Sequence, residues 1–514
     1  MNKKILKCLS LGVLFSLLSL GNLKSLCKIY PTLGSDNQAL LLWKYAAGIG
    51  LLPIKDIFYP YGLLSYYSGQ NVIFGLIYFL ITPALFLCIF LTFQKLFKDK
   101  LFTIASFIVF FLFITIITGF ETFTRYGSIT ALSILFAYIF YSNKNKSQKI
   151  IIALGVLGGI IVPLINDVGI YALVIFVSFS VSNKLLRSKF RLQANQLVSL
   201  LKELVLFILG YLLGLVPFFI YLAFTQSLSG FIPYLISISE LAQFAKTAFF
   251  HSIFTADNLF TLTILMIAII RLCYKFFFGD KKASFATYLQ IGLIIVLLLL
   301  EQKSIIRLID MQLTFIGLLL LLTLLYELKL SLQKYGVSKF IVFIYFINIS
   351  IIILFVIGLH PSDKFMNQYP TPGRIISAVK IFRNKSCVED NMKFIISKNK
   401  QLPGIKKQLY SRKNFNKKVF TFPGEPIFYI MFGQKPPYYP TIYEATPIKA
   451  QKELITYIQK ENIDVILYNV KTRSIQDEVP DTVRGRLLYE YIRSNYSVER
   501  KVGNYLIFIK NRNK

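Results

Sequence analysis

This chain has little of what metal and redox chemistry needs: among 514 residues there are two histidines, His251 and His360, and five cysteines, Cys8, Cys27, Cys88, Cys273 and Cys387. The cysteines show no paired spacing and the histidines stand apart, so neither a disulfide framework nor a His/Cys metal centre is expected. Acidic residues are also scarce, 25 Asp and Glu against 57 Lys and Arg, for a net charge of +32. No G-x-G-x-x-G turn or P-loop is present, which removes the usual nucleotide-phosphate cradles. Internal repeats and low-complexity tracts are absent as well.

Apolar residues fill the gap. The chain is 55% hydrophobic and 16% aromatic, with only 16% charged residues and a mean hydropathy of +0.60. That balance excludes an ordinary soluble fold. Apolar runs of the ~20 residues that cross a hydrocarbon core recur. They fall near 5–26, 71–94, 101–119, 127–142, 150–166, 168–182, 198–225, 258–278, 286–300, 313–327 and 339–359, and predict eleven transmembrane helices. The first has Lys3, Lys4 and Lys7 before it but no small-x-small cleavage site after it, so it reads as a retained anchor. Many basic residues cluster in short loops between runs, as at Lys95, Lys98 and Lys100 or Lys184, Arg187, Lys189 and Arg191. In that position they set membrane orientation rather than bind nucleic acid. The pattern predicts a multi-pass protein of the cytoplasmic membrane with its N-terminus inside. Basic clusters on both sides of 150–183 require a helical hairpin there, turning near Asn166 and Asp167, with Pro163 and Gly158–Gly159 permitting close packing.

On this topology eight acids, Asp36, Asp56, Glu121, Asp167, Glu240, Asp257, Glu301 and Asp310, fall on the outer side. The first outer loop, 27–70, is the richest segment. Ser35 and Asp36 open a helix predicted over 37–47, where Asp36 reads either as a helix cap or as a functional carboxylate. Asp56 lies in a run of aromatics (Phe58, Tyr59, Tyr61, Tyr66, Tyr67) suited to the headgroup layer. Glu121 stands near Arg125, and Arg307 near Asp310; such pairs serve either as structural ion pairs or, through the guanidinium fork, in phosphate capture.

Beyond His360 the hydropathy collapses, with 28 Lys and Arg against 13 Asp and Glu in 360–514. The chain therefore divides into a membrane domain, 1–359, and a water-soluble outer α/β domain, 360–514. In the latter, Val419–Thr421 and Val465–Tyr468 read as strands, 449–462 and 483–494 as helices, and 496–510 as a hairpin turning at Gly503–Asn504.

The order of first-loop residues resembles the membrane-embedded glycosyltransferases of C-type fold that take sugars from polyprenyl phosphates. The residues that carry the likeness are Asp36 after the first span, Trp43–Ala47 in an Ala-rich helix, then Gly50, Pro53 and Asp56, the stretch Y-P-Y-G-L-L at 59–64, and P-G-E-P-I-F-Y at 423–429. It implies an inverting sugar transferase that modifies a cell-envelope glycan, lipid or protein hydroxyl, with Asp36 as catalytic base. Asp56, Glu121 and Asp167 are second-acid candidates, and Arg125 and Arg307 candidates for the donor phosphate. The expected partners are a polyprenyl-phosphate-linked sugar, an envelope acceptor and membrane lipids. No cofactor is legible; a divalent cation held by oxygen ligands alone would leave no distinctive spacing, so that point stays open. The chain departs from the aminoarabinose transferases, whose E-K-P-P-L is replaced by Tyr59–Pro60–Tyr61–Gly62–Leu63, and from oligosaccharyltransferases, whose W-W-D-Y-G is missing. Three other readings remain: a lipid or glycolipid transporter, disfavoured by the lack of related halves, a surface-polysaccharide polymerase or ligase, disfavoured because the large soluble part is terminal, and a purely structural membrane scaffold, disfavoured because eight outer acids near the interface would then lack a role.

Overall fold

The computed structural model describes residues 3–19, 35–68, 71–114, 120–142, 147–188, 194–247, 256–278, 284–304, 311–344, 387–399, 401–411, 418–470 and 480–511. The chain divides into two compact units: Met1–Ser25, Leu76–Phe218 and Phe250–Ser377 form one, and Leu26–Gly75, Phe219–Phe249 and Ala378–Lys514 the other.

The first unit is helical. It contains α1 (Lys3–Leu18), most of α4 (Val72–Phe97), α5 (Lys100–Phe113), α6 (Phe120–Ser142), α7 (Gln148–Leu164), α8 (Asn166–Ser188), most of α9 (Ala194–Phe224), α11 (Ala256–Phe278), α12 (Phe285–Ser304) and α13 (Met311–Lys334). Its interior is aromatic: Phe15, Phe86, Phe107, Phe110 and Phe123 are buried and their rings touch in series. The expected hairpin is present, α7 and α8 being separated by Ile165 in extended conformation. The glycines of α7 do more than permit bending. A β-carbon on Gly155 would collide with the Phe207 carbonyl oxygen, one on Gly159 with that of Tyr211, one on Gly210 with that of Ile152 and one on Gly214 with that of Val156. Two small-x-x-x-small stripes thus let α7 and α9 approach backbone to backbone, the geometry that stabilises helix pairs where lipid removes the hydrophobic drive. The opposite side of α9 exposes Leu201, Val205, Leu209, Leu212 and Val216.

The count of spans is a correction. Four described helical stretches, Ile73–Phe97, Val168–Leu186, Ala194–Phe224 and Phe315–Lys334, are long and apolar enough to cross a membrane, where the sequence predicts eleven. Four more, Lys100–Phe113, Tyr126–Ser142, Gln148–Leu164 and Phe285–Leu300, are apolar but shorter. At 1.5 Å per residue the 14 residues of Lys100–Phe113 fall short of a hydrocarbon core of about 30 Å, whereas α6 and α12, of 23 and 20 residues, continue past their apolar stretches. The runs at 101–119 and 339–359 extend past the described residues, which end at 114 and 344. The protein is membrane-associated. Inside this unit Glu327, 7% exposed, is held by Arg271 and by Lys275, which also donates to Thr287 Oγ1 at 2.7 Å.

The second unit joins α2 (Ser35–Gly48), α3 (Leu63–Tyr67) and α10 (Leu228–Thr247) to a C-terminal α/β segment. That segment runs α14 (Cys387–Lys398), α15 (Gln401–Tyr410), β1 (Val419–Phe422), α16 (Ile427–Met431), α17 (Ile448–Lys460), β2 (Val465–Asn469), α18 (Asp481–Arg484), α19 (Arg486–Asn495), β3 (Tyr496–Val502) and β4 (Tyr505–Lys510). The sheet order is β1-β2-β4-β3, with β1 parallel to β2 and the other pairs antiparallel. The predicted strands, the two amphipathic helices and the hairpin through Gly503, at φ +58°, all appear. The compact unit reaches beyond 360–514, because α2 lies in its core: Leu41, fully buried, packs with Ile405, Ile427, Phe428 and Leu467.

Candidate functional site

Helix α2 has two working faces. Leu41 and Gln38 turn toward the sheet segment, while Ala39, Trp43 and Ala46 pack with Leu51, Ile57, Tyr59 and Tyr66 of the same loop. The loop closes by a tight turn. Gly50 and Ile54 adopt positive φ of 82° and 75°, and Leu52 and Asp56 bond twice: Asp56 N donates to Leu52 O at 2.8 Å, and Leu52 N to Asp56 Oδ2 at 3.0 Å. The other carboxylate oxygen, Oδ1, accepts from Lys435 Nζ at 3.3 Å. Asp56 therefore shapes the loop and holds a cation at its edge.

Lys435 comes from a strap, Gly433–Pro440, that runs along the first loop. Phe58 N donates to Tyr438 O at 2.8 Å and the Tyr438 hydroxyl to Ile54 O at 3.0 Å. Tyr234 of α10 donates to Tyr59 O at 2.7 Å, and its neighbour Ser237 bonds the Tyr439 hydroxyl at 3.0 Å. Burial raises the Tyr66, Tyr438 and Tyr439 phenols well above the ordinary tyrosine value, Tyr439 to about 12. They stay protonated at neutral pH and serve as donors, not bases.

One turn into α2, Gln38 latches the loop to the sheet segment. Its Nε2 donates to Glu425 Oε2 at 2.8 Å and its Oε1 accepts from Ile427 N at 3.4 Å. Glu425, 3% exposed, also accepts from Asn469 Nδ2. Tyr505, raised by burial and by Glu425 beside it, keeps its proton. A buried carboxylate ringed by amide and phenol donors fixes how α2 is presented, because removing any partner would strand a charge.

Among the residues singled out in the sequence, Asp56 is described in full. Asp36 is the second residue of α2, two positions before Gln38; its side chain lies outside the described residues. So do those of Glu121 and Arg125 in the first turns of α6 and of Asp167 at the start of α8, and Arg307 lies outside altogether. Lys435, Gln38, Glu425 and Asn469 were not anticipated. Glu425 had a signal, an acid between Pro423–Gly424 and Pro426 in an otherwise apolar stretch, and Lys435 another, a cation directly before Pro436–Pro437. Among the described residues no group of three or more His, Cys, Asp and Glu is placed to hold a metal ion. No family model matches the chain, and no curated protein matches it.

Proposed function

We propose that this protein is an inverting glycosyltransferase of the membrane C-type class, moving a sugar from a polyprenyl-phosphate donor to a hydroxyl of a cell-envelope glycan, lipid or protein at the outer face of the cytoplasmic membrane. The observation that supports it most is the first loop, ordered by tight turns and bonded to a C-terminal α/β segment, with Asp36 in the first turn of α2 and the Asp56–Lys435 pair at the loop's edge. A mere connector needs none of this.

A polyprenyl phosphate is already a good leaving group, so the reaction needs one base and some cations rather than a carboxylic acid to protonate the departing oxygen. Asp36 takes the proton of the acceptor hydroxyl while its oxygen attacks the anomeric carbon; the bond from that carbon to the phosphate oxygen breaks, and the electron pair leaves with the polyprenyl phosphate. General base catalysis of this kind contributes about 10²–10⁴-fold. Arg125 and Arg307 bind the phosphate and stabilise its developing charge, and Lys435 adds a cation beside the loop. The balance closes with or without a divalent cation.

Asp36→Asn tests the assignment. Incorporation of sugar from a polyprenyl-phosphate pool into envelope glycans should fall by at least about 10²-fold, with expression and membrane insertion unchanged. Activity within a few-fold of wild type would refute the base.

A further inference from the structure

Trp43, the only tryptophan in the chain, is 4% exposed, and its indole Nε1 has no hydrogen-bond partner among the described residues. Its neighbours are provided for: the Tyr59 hydroxyl donates to Ser65 Oγ at 2.7 Å and that of Tyr66 to Leu51 O at 2.8 Å. A buried unpaired donor carries a desolvation penalty that a phenylalanine would avoid. The indole stands edge-on to two rings, Tyr59 at 4.9 Å and Tyr61 at 5.6 Å between centroids, and these two are themselves edge-on at 5.6 Å. Tyr61 is half-exposed while Trp43 and Tyr59 are buried, so the cluster grades from an open ring to a closed N–H. Asp56, whose charge reaches Tyr66, borders the same cluster.

A partly exposed aromatic ring beside a buried, unpaired N–H donor matches a ligand with an apolar C–H face and hydroxyl acceptors on one small ring. We infer that Trp43 and Tyr61 form a sugar-ring subsite, in which the ring packs on Tyr61 and one of its oxygens accepts from Trp43 Nε1. This rests on the transferase reading and gives it a place for the carbohydrate of donor or acceptor. An inorganic anion or a prenyl tail offers only half of that chemistry: the first lacks the C–H face and the second the acceptor.

A single tryptophan makes the test direct. The full-length protein in lipid nanodiscs is titrated with methyl glycosides of common hexoses, pentoses and N-acetylhexosamines, and separately with undecaprenyl phosphate carrying no sugar, while Trp43 emission is followed. At least one glycoside should shift the emission to the red saturably as the N–H gains an acceptor. Tyr61→Ala should weaken that binding about tenfold, the equivalent of one lost ring contact. Trp43→Phe should lose the rise in melting temperature that the same glycoside gives the wild type. No shift with any glycoside, a shift with undecaprenyl phosphate alone, or an unchanged response in Tyr61→Ala each overturns the subsite, the first leaving water as the partner of the indole. Glycoside binding without any sugar transfer by the wild type sinks the transferase instead, and Asp36-dependent transfer with a silent Trp43 sinks the subsite alone.

Discussion

Glu425 shows how much a single buried carboxylate organises. Gln38, Asn469 and Tyr505 all orient toward it, and they come from α2, the end of β2 and the start of β4. Glu425→Ala should leave the two amides without an acceptor and lower stability by roughly 2–4 kcal/mol, read as a fall in melting temperature of the purified protein. Glu453, on α17, behaves in the opposite sense. Burial raises its carboxyl above the ordinary glutamate value, and Glu240 of α10 adds to this while Lys449 offsets part of it. The folded state thus holds the proton more tightly than the unfolded chain, so stability falls as pH rises from the ordinary glutamate value through the raised one. Glu453→Gln should melt slightly higher than wild type at neutral pH, and the difference should vanish as the medium is acidified through that window. The composition shows that acids are few; it is silent on which of them folding buries.

At the scale of elements, local pattern carried far. Ser35 and Asp36 open α2, Pro163 and the paired glycines mark the hairpin of α7 and α8, and the alternation in 496–510 is the β3–β4 hairpin. These features depend on neighbours in sequence. The longer helices α10, α14 and α15 lie in segments to which the sequence assigned no element, because their apolar faces are short and interrupted by polar residues, glycine or proline. The partner stripe Gly210/Gly214 was equally invisible, since a glycine in a greasy run looks the same whether or not a backbone lies against it. Gly159→Leu should therefore be severe. It drives a side chain into the Tyr211 carbonyl, so the yield of monodisperse protein in mild detergent should drop sharply, whereas an apolar swap on the exposed side of α9, such as Leu209→Ile, should be tolerated.

For the whole molecule, the decisive fact is that residues some 390 positions apart share one core, as Gln38 and Ile427 do across a separation of 389. No window along the chain reports a contact of that kind, which explains why the elements of the site were readable and its assembly was not. Leu41→Ala should cost about 2–5 kcal/mol, and its effect should surface far along the chain, as faster amide hydrogen exchange in α14, α15 and β1, all packed around the same side chain.

The strap carries a mechanical corollary. At one end Gln434 pairs with the outer edge of β1 as a short strand would, accepting from Val419 N at 2.8 Å and donating to Val419 O at 2.9 Å; at the other, Tyr438 is bonded to Phe58. Three residues, Lys435, Pro436 and Pro437, separate the two attachments, and the two prolines have fixed φ, leaving almost no slack. It acts as a tie-rod: whatever tightens the first loop pulls on the rim of the sheet, and the ammonium of Lys435, next to the Gln434 attachment, travels with both.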